Sequence, residues 1–511
     1  MVSYALQFMK NSNLNHIRRI LMIKSTLIKG TFILTIAGFL TRILGFFYKI
    51  YLSNILGSEN LGIYQLIFPI YSLFFTLYAG GIQTAISKLV AERPSKKILA
   101  KGAFLSLFLA FLCSILLYTN SDFFANVIIK ESRCAFSLKL LALVFPFCSI
   151  TSCINGFYYG LKKTNVPAVT QLLEQIGRIV FSYVIILLYL PNAKNLSCEF
   201  AVLAMVVGEA ISALYNLCSL VFCKTDTKQN STKQEHLYKK ILLFALPLTA
   251  THLIVSVLHS IESILIPNML KISGLTTKEA LCIYGVLTGM SMSLLMFPST
   301  ITNSLSVLLL PSISEAKASK QNKYIRSITE NTIKYSLLIG LFCTFVFLLF
   351  GDELGYSFFH NELSGKFLRN LSWLCPLLYV GTTLSSILNG VGHISTTFIT
   401  TVAGLSLRVL LLIILIPNKG ISGYFFALLI SQFVLTLLNF YYVKKSLFFS
   451  FDSYNWLVKP IFFLVFWGFF VLKIWQFFHT HITLPSLVLL GICCSLYCCL
   501  YGISLKLQKI L

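Results

Sequence analysis

Charged residues are scarce in this sequence. Only 11% of the 511 residues are charged and 57% are hydrophobic, whereas a soluble globular domain carries about 25% charged residues. A soluble chain would need far more polar sequence to cover its hydrophobic cores. A spanning helix takes about 20 mostly apolar residues, so the chain has room for a dozen or more. The composition therefore excludes a soluble enzyme and indicates a membrane protein that spans the bilayer many times.

Acidic residues are scarcer still, with 17 Asp and Glu against 41 Lys and Arg and a net charge of +24. In a chain with many spans, such an excess first indicates basic cytoplasmic loops. No separate basic domain is present, so nucleic acid is excluded as a partner. The longest polar segments, 224–239 and 312–331, contain no D-x-D or histidine-centred motif. A membrane glycosyltransferase or acyltransferase is excluded on that ground.

Residues that could bind a metal ion do not form a convincing cluster in the sequence. Most of the 14 cysteines lie inside apolar runs, where a thiol behaves as a small hydrophobic group. Cys493, Cys494, Cys498 and Cys499 have helical spacing, but no histidine or carboxylate lies near them in the sequence. We predict no metal, no other cofactor and no disulfide framework. Whether the protein uses a coupling ion, and which one, stays open.

About fourteen apolar segments are long enough to form spanning helices. The predicted fold class is therefore all-α integral membrane. The segments lie at 28–50, 61–88, 99–119, 136–160, 165–190, 199–223, 240–270, 279–311, 332–350, 367–390, 394–417, 421–443, 457–478 and 484–505.

The basic residues predict the orientation. With the N-terminus inside, Lys and Arg in the inner connections outnumber those in the outer ones more than twofold, which places both termini in the cytoplasm of a plasma-membrane protein. Residues 1–26 lack an A-x-A cleavage site and are predicted as a retained cytoplasmic tail. The remaining predicted units are an N-lobe at 27–223, a cytoplasmic linker at 224–239, a C-lobe at 240–446 and two final helices in 447–511.

An internal repeat divides the chain into two halves. Residues 153–191 resemble residues 387–417, since each segment contains Asn-Gly, a second Gly, an Arg and a terminal Pro. Likewise 60–92 resembles 279–316. Both members of each pair are predicted to begin on the same side of the membrane. Two six-helix lobes related as parallel repeats are therefore expected, with helices 13 and 14 outside the repeat.

Ionisable residues deep in the spans are candidates for function, because each costs about 2.5–3.5 kcal/mol at a helix centre. They are Arg42, Glu174, Arg178, Glu209, His252, His259, Glu262 and Arg408. Glu174 and Arg178 are one helical turn apart, which favours a pair that is either structural or lines a cavity. Glu209, His252, His259 and Glu262 are interpreted as ion-coupling or structural ion-pair candidates, the last three sharing one face of a helix.

Arg42 and Arg408 have no carboxylate at helical spacing in their own segments. Their partner must come from elsewhere in the protein or from a ligand. A guanidinium group in a water-filled interior suits phosphate, which it binds through two parallel hydrogen bonds. A polyprenyl pyrophosphate headgroup fits this requirement, while pairing with backbone carbonyls is the alternative.

A family resemblance follows from particular residues. Thr-Arg-Ile-Leu-Gly at 41–45, Leu-Gly at 56–57, Ala-Gly-Gly-Ile at 79–82 and the stretch 87–92 resemble the stage V sporulation protein B and polysaccharide biosynthesis family. This family belongs to the multidrug/oligosaccharidyl-lipid/polysaccharide exporter superfamily, which also holds the lipid II flippase. The resemblance implies a fourteen-helix flippase that moves a lipid-linked saccharide or peptidoglycan precursor outward by alternating access.

The resemblance also implies substrate-binding residues. Arg42 matches an arginine of the lipid II flippases, whereas Tyr48 occupies the place of their second arginine and is followed by Lys49. Together with the repeat, this predicts a cavity that holds Arg42, Lys49, Arg178 and Arg408. Membrane lipids and a cell-wall polymerase are the other expected partners.

Two alternative functions stay open. A cation-coupled multidrug exporter of the same superfamily would need a membrane carboxylate, but the first predicted helix has none. A non-transporting scaffold for cell-wall synthesis would not need arginines inside the membrane.

Overall fold

The protein is helical throughout the part that is described. The computed structural model describes residues 2–189, 197–223, 237–319, 321–481 and 485–508, and all regular secondary structure in these ranges is helical. Residues 224–236, most of the predicted linker, lie outside the described ranges.

The first two spans belong to one long helix, Val2–Phe75, that is broken at Gly57. A straight helix of 74 residues would be about 110 Å long, whereas the hydrocarbon core of a bilayer is about 30 Å thick. Gly57 has φ 71° and ψ 173°, a conformation that glycine adopts without the steric cost of a Cβ. We name the part before Gly57 α1 and the part after it α2, which continues through Thr76–Gly80 to Gly81–Glu92.

Twelve further membrane helices follow in the described ranges. They are α3 (Lys96–Thr119), α4 (Cys134–Ala142 with Val144–Gly160), α5 (Asn165–Tyr189), α6 (Cys198–Val221), α7 (Leu237–Ile272), α8 (Thr277–Gly285 to Met292–Met296, then Ser299–Ala318), α9 (Asn322–Phe359), α10 (Glu362–Leu371 with Leu374–Val391), α11 (Ile394–Lys419), α12 (Ile421–Leu447), α13 (Lys459–His481) and α14 (Ser486–Leu507).

This architecture confirms the all-α fold class with about fourteen membrane helices. The two parts of α4 meet at 41°, and we count them together as one membrane helix. The helix α9 runs well beyond the predicted 332–350 at both ends. The polar residues at its two ends lower the local hydropathy, so the apolar segment is shorter than the helix.

The two halves pack in the same pattern. In the first half α1 packs on α5, α5 on α6, α2 on α4, and α4 on both α3 and α6. In the second half α7 packs on α11, α11 on α12, α8 on α10, and α10 on both α9 and α12. Each of these contacts of the N-lobe (α1–α6) thus has a counterpart in the C-lobe (α7–α12), which confirms the repeat.

Matching hydrogen bonds support the same conclusion. The Ser114 Oγ donates to the Ala142 carbonyl at 2.7 Å, and 230 residues later Thr344 Oγ1 donates to the Ser372 carbonyl at 3.1 Å. Buried hydroxyl pairs also recur, Ser106 with Ser149 at 2.7 Å and Ser336 with Thr383 at 2.8 Å. A third match joins Thr170 to Asn216 and Thr400 to Asn439, at 2.8 and 2.7 Å.

The lobes meet where α2 and α8 begin. A Cβ on Gly285 would lie 2.7 Å from the Gly62 backbone nitrogen, and one on Gly62 would collide with the Leu281 carbonyl oxygen. Only glycine allows the two backbones to approach so closely. From this contact both helices run to the same opposite face, so α2 and α8 are parallel.

The Asn-Gly pairs lie near that opposite face, which we call the basic face because Lys88, Lys101 and Lys317 lie at this end. Gly156 packs on the Gln83 carbonyl late in α2, and the Gly390 carbonyl accepts a 3.0 Å hydrogen bond from Ser314 late in α8. Both pairs therefore lie on one side of the membrane, as parallel repeats require.

The helices α13 and α14 pack on each other and on α9, outside the repeat, as predicted. Tyr497 donates to the Leu464 carbonyl at 2.7 Å, and the indole of Trp467 donates to Ser504 at 2.7 Å.

Candidate functional site

A cavity of about 470 Å³ lies between α1, α2 and α5 of the N-lobe and α8 of the C-lobe. No Asp or Glu is among the described residues that line it. Its polar and charged lining consists of Arg42, Tyr48, Lys49, Tyr64, Gln65, Gln175, Arg178, Ser293, Ser299, Thr300 and Asn303. The cavity is therefore cationic.

Arg42 is exposed to this cavity and makes no hydrogen bond or ion pair with any described residue. Lys49 follows seven residues later, which is about two helical turns and places both cations on one face of α1. The Lys49 ammonium donates to Ser293 Oγ on α8 at 3.2 Å. Phe46, between them, stacks on Phe297 of α8 with ring centroids 4.4 Å apart.

Arg178 reaches the cavity from α5. Its Nη2 donates to Glu174 Oε1 at 2.6 Å, so the pair expected from a spacing of four is present. The Arg178 side chain is 14% exposed and the Glu174 side chain 26%. The Arg178 Nε is buried and has no hydrogen-bond partner in the described part of the chain. One donor of this guanidinium is therefore buried and unpaired among the described residues.

Glu209 lies buried on α6 beside this pair. A Cβ on the preceding Gly208 would lie 2.8 Å from the Glu174 carbonyl oxygen, which shows how closely α5 and α6 pack. The Glu209 carboxyl is close enough to interact electrostatically with Glu174, which repels it, and with Arg178, which attracts it. The N-lobe thus places Arg178 at the cavity and the two carboxyl groups behind it.

Arg408 requires a correction, because it does not line this cavity. Its Nη1 donates to Glu262 Oε1 at 3.2 Å, its Nε to Ser431 Oγ at 2.9 Å and its Nη2 to Gln432 Oε1 at 3.2 Å. Arg408 is 9% exposed and Glu262 7%. The carboxylate comes from α7, far away in the sequence, so helical spacing within the Arg408 segment could not reveal it.

The two predicted histidines of α7 are both exposed. His259 Nδ1 lies 3.5 Å from Glu262 Oε2. His252 makes no hydrogen bond or ion pair with the described residues. Of the three residues predicted to share a face, the structure therefore joins only His259 and Glu262.

Sequence reasoning missed the neutral polar lining. Gln65, Gln175, Ser299, Thr300 and Asn303 line the cavity, but a single amide or hydroxyl in an apolar segment carries little signal. Pro298 is the sequence feature that could have indicated this lining. A proline inside an apolar segment breaks the helix and often marks an irregular backbone beside a cavity.

The described residues include no group of three His, Cys, Asp or Glu side chains that could hold a metal ion. All fourteen cysteines have free thiols.

Two parallel six-helix repeats around a polar cavity form the architecture of a membrane transporter. The protein is therefore a multi-pass membrane transporter.

The chain belongs to the polysaccharide biosynthesis protein family, whose model matches residues 27–317. The MatE family model matches residues 247–414. These families place the chain in the superfamily expected from its sequence.

Two relatives support this assignment, and one solved structure shares the fold. Stage V sporulation protein B of Bacillus subtilis is 29% identical over 83% of this chain and 85% of its own length. The lipid II flippase MurJ of the same organism is 24% identical over 85% of both chains. The solved structure of a lipid II flippase MurJ in an inward closed conformation has a TM-score of 0.71 and 15% identity, and the match covers 93% of this chain and 98% of that one.

Proposed function

We propose that this protein is a flippase that moves a polyprenyl pyrophosphate-linked oligosaccharide or peptidoglycan precursor outward across the plasma membrane by alternating access. The observation that carries the proposal is the cavity between the lobes. Arg42, Lys49 and Arg178 line it, and none of the described lining residues is a carboxylate. An anion is the ligand that this charge distribution favours.

A diphosphate fits these side chains better than an isolated monovalent anion. Arg42 has no partner among the described residues, and the Arg178 guanidinium lines the cavity with a single ion-pair partner, Glu174. A guanidinium group presents planar donors that match two phosphate oxygens at once. Lys49 adds a positive charge. Among the described residues, its ammonium group donates only to the neutral hydroxyl of Ser293. Exclusion of water from the closed cavity would strengthen all three interactions.

The orientation of the protein in the membrane follows from the charge of the loops. We assign the basic face to the cytoplasm, because basic residues are retained on that side. Both termini are then cytoplasmic, and the α2–α8 contact closes the cavity on the outer side. The names of the relatives, a sporulation protein and a lipid II flippase, are consistent with a lipid-linked cell-wall precursor as cargo. A coupling ion and a polymerase partner stay predictions.

The MatE match supports a second candidate, a cation-coupled multidrug exporter. An organic cation would meet three positive side chains in the cavity and no lining carboxylate among the described residues. The charge of the cavity therefore favours the lipid-linked anion.

The test is transport by purified protein in proteoliposomes. We expect flipping of a fluorescent polyprenyl diphosphate-linked saccharide, measured by protection from an added reagent that attacks the exposed sugar. Export of a cationic dye under a Na⁺ or H⁺ gradient is measured in parallel. Dye export without lipid flipping would support the drug exporter, and neither activity would support the scaffold.

A further inference from the structure

The two walls of the cavity differ in chemistry. All three cations, Arg42, Lys49 and Arg178, come from α1 and α5 of the N-lobe. Among the described residues, the C-lobe contributes only α8 to the lining, and the α8 residues there carry no charge. They are Ser293, Met296, Phe297, Ser299, Thr300 and Asn303.

The break at Pro298 places three of these polar side chains together. The second part of α8 begins at Ser299, so Ser299, Thr300 and Asn303 lie in its first two turns. Ser299 and Asn303 are four residues apart and Thr300 and Asn303 are three apart, so Asn303 lies beside both hydroxyl groups on the helix surface. We call these three residues the α8 polar wall.

The α8 polar wall has unused hydrogen-bonding capacity. Ser299 Oγ donates to the Met296 carbonyl at 2.7 Å, and Thr300 Oγ1 donates to the Phe297 carbonyl at 2.8 Å. Their hydrogens are thus bound to their own helix, and lone pairs remain to accept from a ligand. Asn303 makes one long bond, 3.4 Å from Nδ2 to Ser299 Oγ, and its Oδ1 has no partner among the described residues.

A second unsatisfied group lies on the lining helix α2. Gln65 lines the cavity, and its Nε2 is buried without a hydrogen-bond partner in the described part of the chain. A buried polar atom without a partner is unfavourable until a ligand or water satisfies it. This donor and the acceptors of the α8 polar wall together match a ligand rich in hydroxyl or amide groups.

We infer that the α8 polar wall binds the uncharged sugar next to the diphosphate, while the N-lobe cations bind the diphosphate itself. The inference rests on the proposed function and adds the orientation of the cargo. Sugar hydroxyls donate to the Ser299, Thr300 and Asn303 oxygens and accept from the Asn303 and Gln65 amides. A neutral wall of this kind discriminates by hydrogen bonding, since a ligand that lacks the groups leaves buried polar atoms unpaired.

The experiment measures binding of two lipids to the full-length protein in detergent, by native mass spectrometry or thermophoresis. The probes are undecaprenyl diphosphate and undecaprenyl diphosphate linked to N-acetylglucosamine. The test variant combines Thr300→Val with Asn303→Leu, and the isosteric Thr300→Val alone serves if the double variant does not fold. The control is Ser304→Ala, because Ser304 is close by on the same helix but does not line the cavity.

We expect the double variant to bind the sugar-bearing lipid about five- to tenfold more weakly, as the loss of one or two neutral hydrogen bonds implies. Its affinity for undecaprenyl diphosphate should be unchanged, whereas Arg42→Ala should weaken both lipids. Equal weakening of both lipids by the double variant would overturn the inference. So would wild-type protein that binds both lipids equally well. Wild-type protein that binds neither lipid would overturn the proposed function itself.

Discussion

Arg178 and Arg408 occupy equivalent places in the two lobes, 230 residues apart, as do the hydrogen-bonded Thr170 and Thr400. Their surroundings are nevertheless different. Arg178 lines the cavity, pairs with one carboxylate and keeps an unused Nε. Arg408 is buried in the C-lobe and uses all three of its nitrogens.

The neighbours of the two arginines explain the difference. Glu174 supplies the N-lobe carboxylate from the arginine's own helix, whereas the residue 230 positions later is Gly404. The C-lobe takes its carboxylate from Glu262 of α7 instead. A residue duplicated by the repeat has therefore become part of a cavity in one lobe and part of a closed polar cluster in the other.

The largest expected effect comes from replacing Arg42, which lines the cavity and has no partner among the described residues. Arg42→Ala should lower affinity for the diphosphate lipid about a hundredfold, because two charge-assisted hydrogen bonds are lost. Arg42→Lys should restore only part of it, since a point charge cannot replace the planar fork. Protein abundance should not change, because the side chain has no partner among the described residues. Normal lipid transport by Arg42→Ala would contradict a cargo-binding role.

Breaking the C-lobe pair should instead cost stability. Arg408→Met leaves the buried Glu262 carboxylate without its guanidinium partner, which costs about 3–5 kcal/mol. Combining Glu262→Leu with Arg408→Met should recover most of that loss. Thermal and denaturant unfolding of the purified protein measures both variants.

The matched control is Arg369→Met, because Arg369 pairs with Asp352 at 2.6 Å but the two side chains are half exposed. An exposed pair contributes about 0–1 kcal/mol. If Arg408→Met were as stable as this control, Arg408 would not be a structural residue.

The N-lobe pair should show a smaller stability effect combined with a binding effect. Glu174→Gln and Arg178→Met are each expected to cost about 1–2 kcal/mol, since both groups are partly hydrated, and a double-mutant cycle should reveal coupling. Only Arg178→Met should also weaken binding of the diphosphate lipid. Additive losses would show that the two side chains are not coupled.

The smallest expected effect comes from a pair of equivalent variants, one in each lobe. Thr170→Val and Thr400→Val each remove a hydrogen bond to a buried asparagine, which is worth about 0.6 kcal/mol between membrane helices. Because the two bonds have nearly the same length, the losses should agree within about 0.5 kcal/mol. Thr401→Val, whose hydroxyl bonds only to its own helix, is the control. A large difference between the two lobes would show that the repeat is not energetically symmetric.

Much of the fold could be predicted from hydropathy and the repeat. Apolar runs of spanning length predict helices directly, because a bilayer requires every backbone group to bond within its own segment. The repeat predicted the parallel lobes. Helix ends were less accurate, as at α9, because polar residues beyond the membrane continue the helix without an apolar signal.

The candidate site was only partly predictable. Arg42 and Lys49 share a face of one helix, and Glu174 and Arg178 are one turn apart, so local spacing brought each set together. The grouping of these two sets in one cavity depends on the packing of α1 against α5. The prediction that Arg408 lines the cavity was wrong because its carboxylate partner lies on another helix, α7. The α8 polar wall depends on how the helix bends at Pro298, and no local sequence pattern specifies the direction of that bend.

The sequence by itself determined that this chain crosses the membrane many times, that it consists of two parallel halves, and that a few charged side chains lie within the spans. Each of these properties follows from hydropathy, residue count or spacing along one helix. The tertiary structure alone decided which charges face the cavity and which neutralise one another. That decision depends on contacts between helices far apart in the sequence, such as Arg408 with Glu262 and Lys49 with Ser293. In a low-dielectric interior, a charge is paired or available only according to which helix packs beside it.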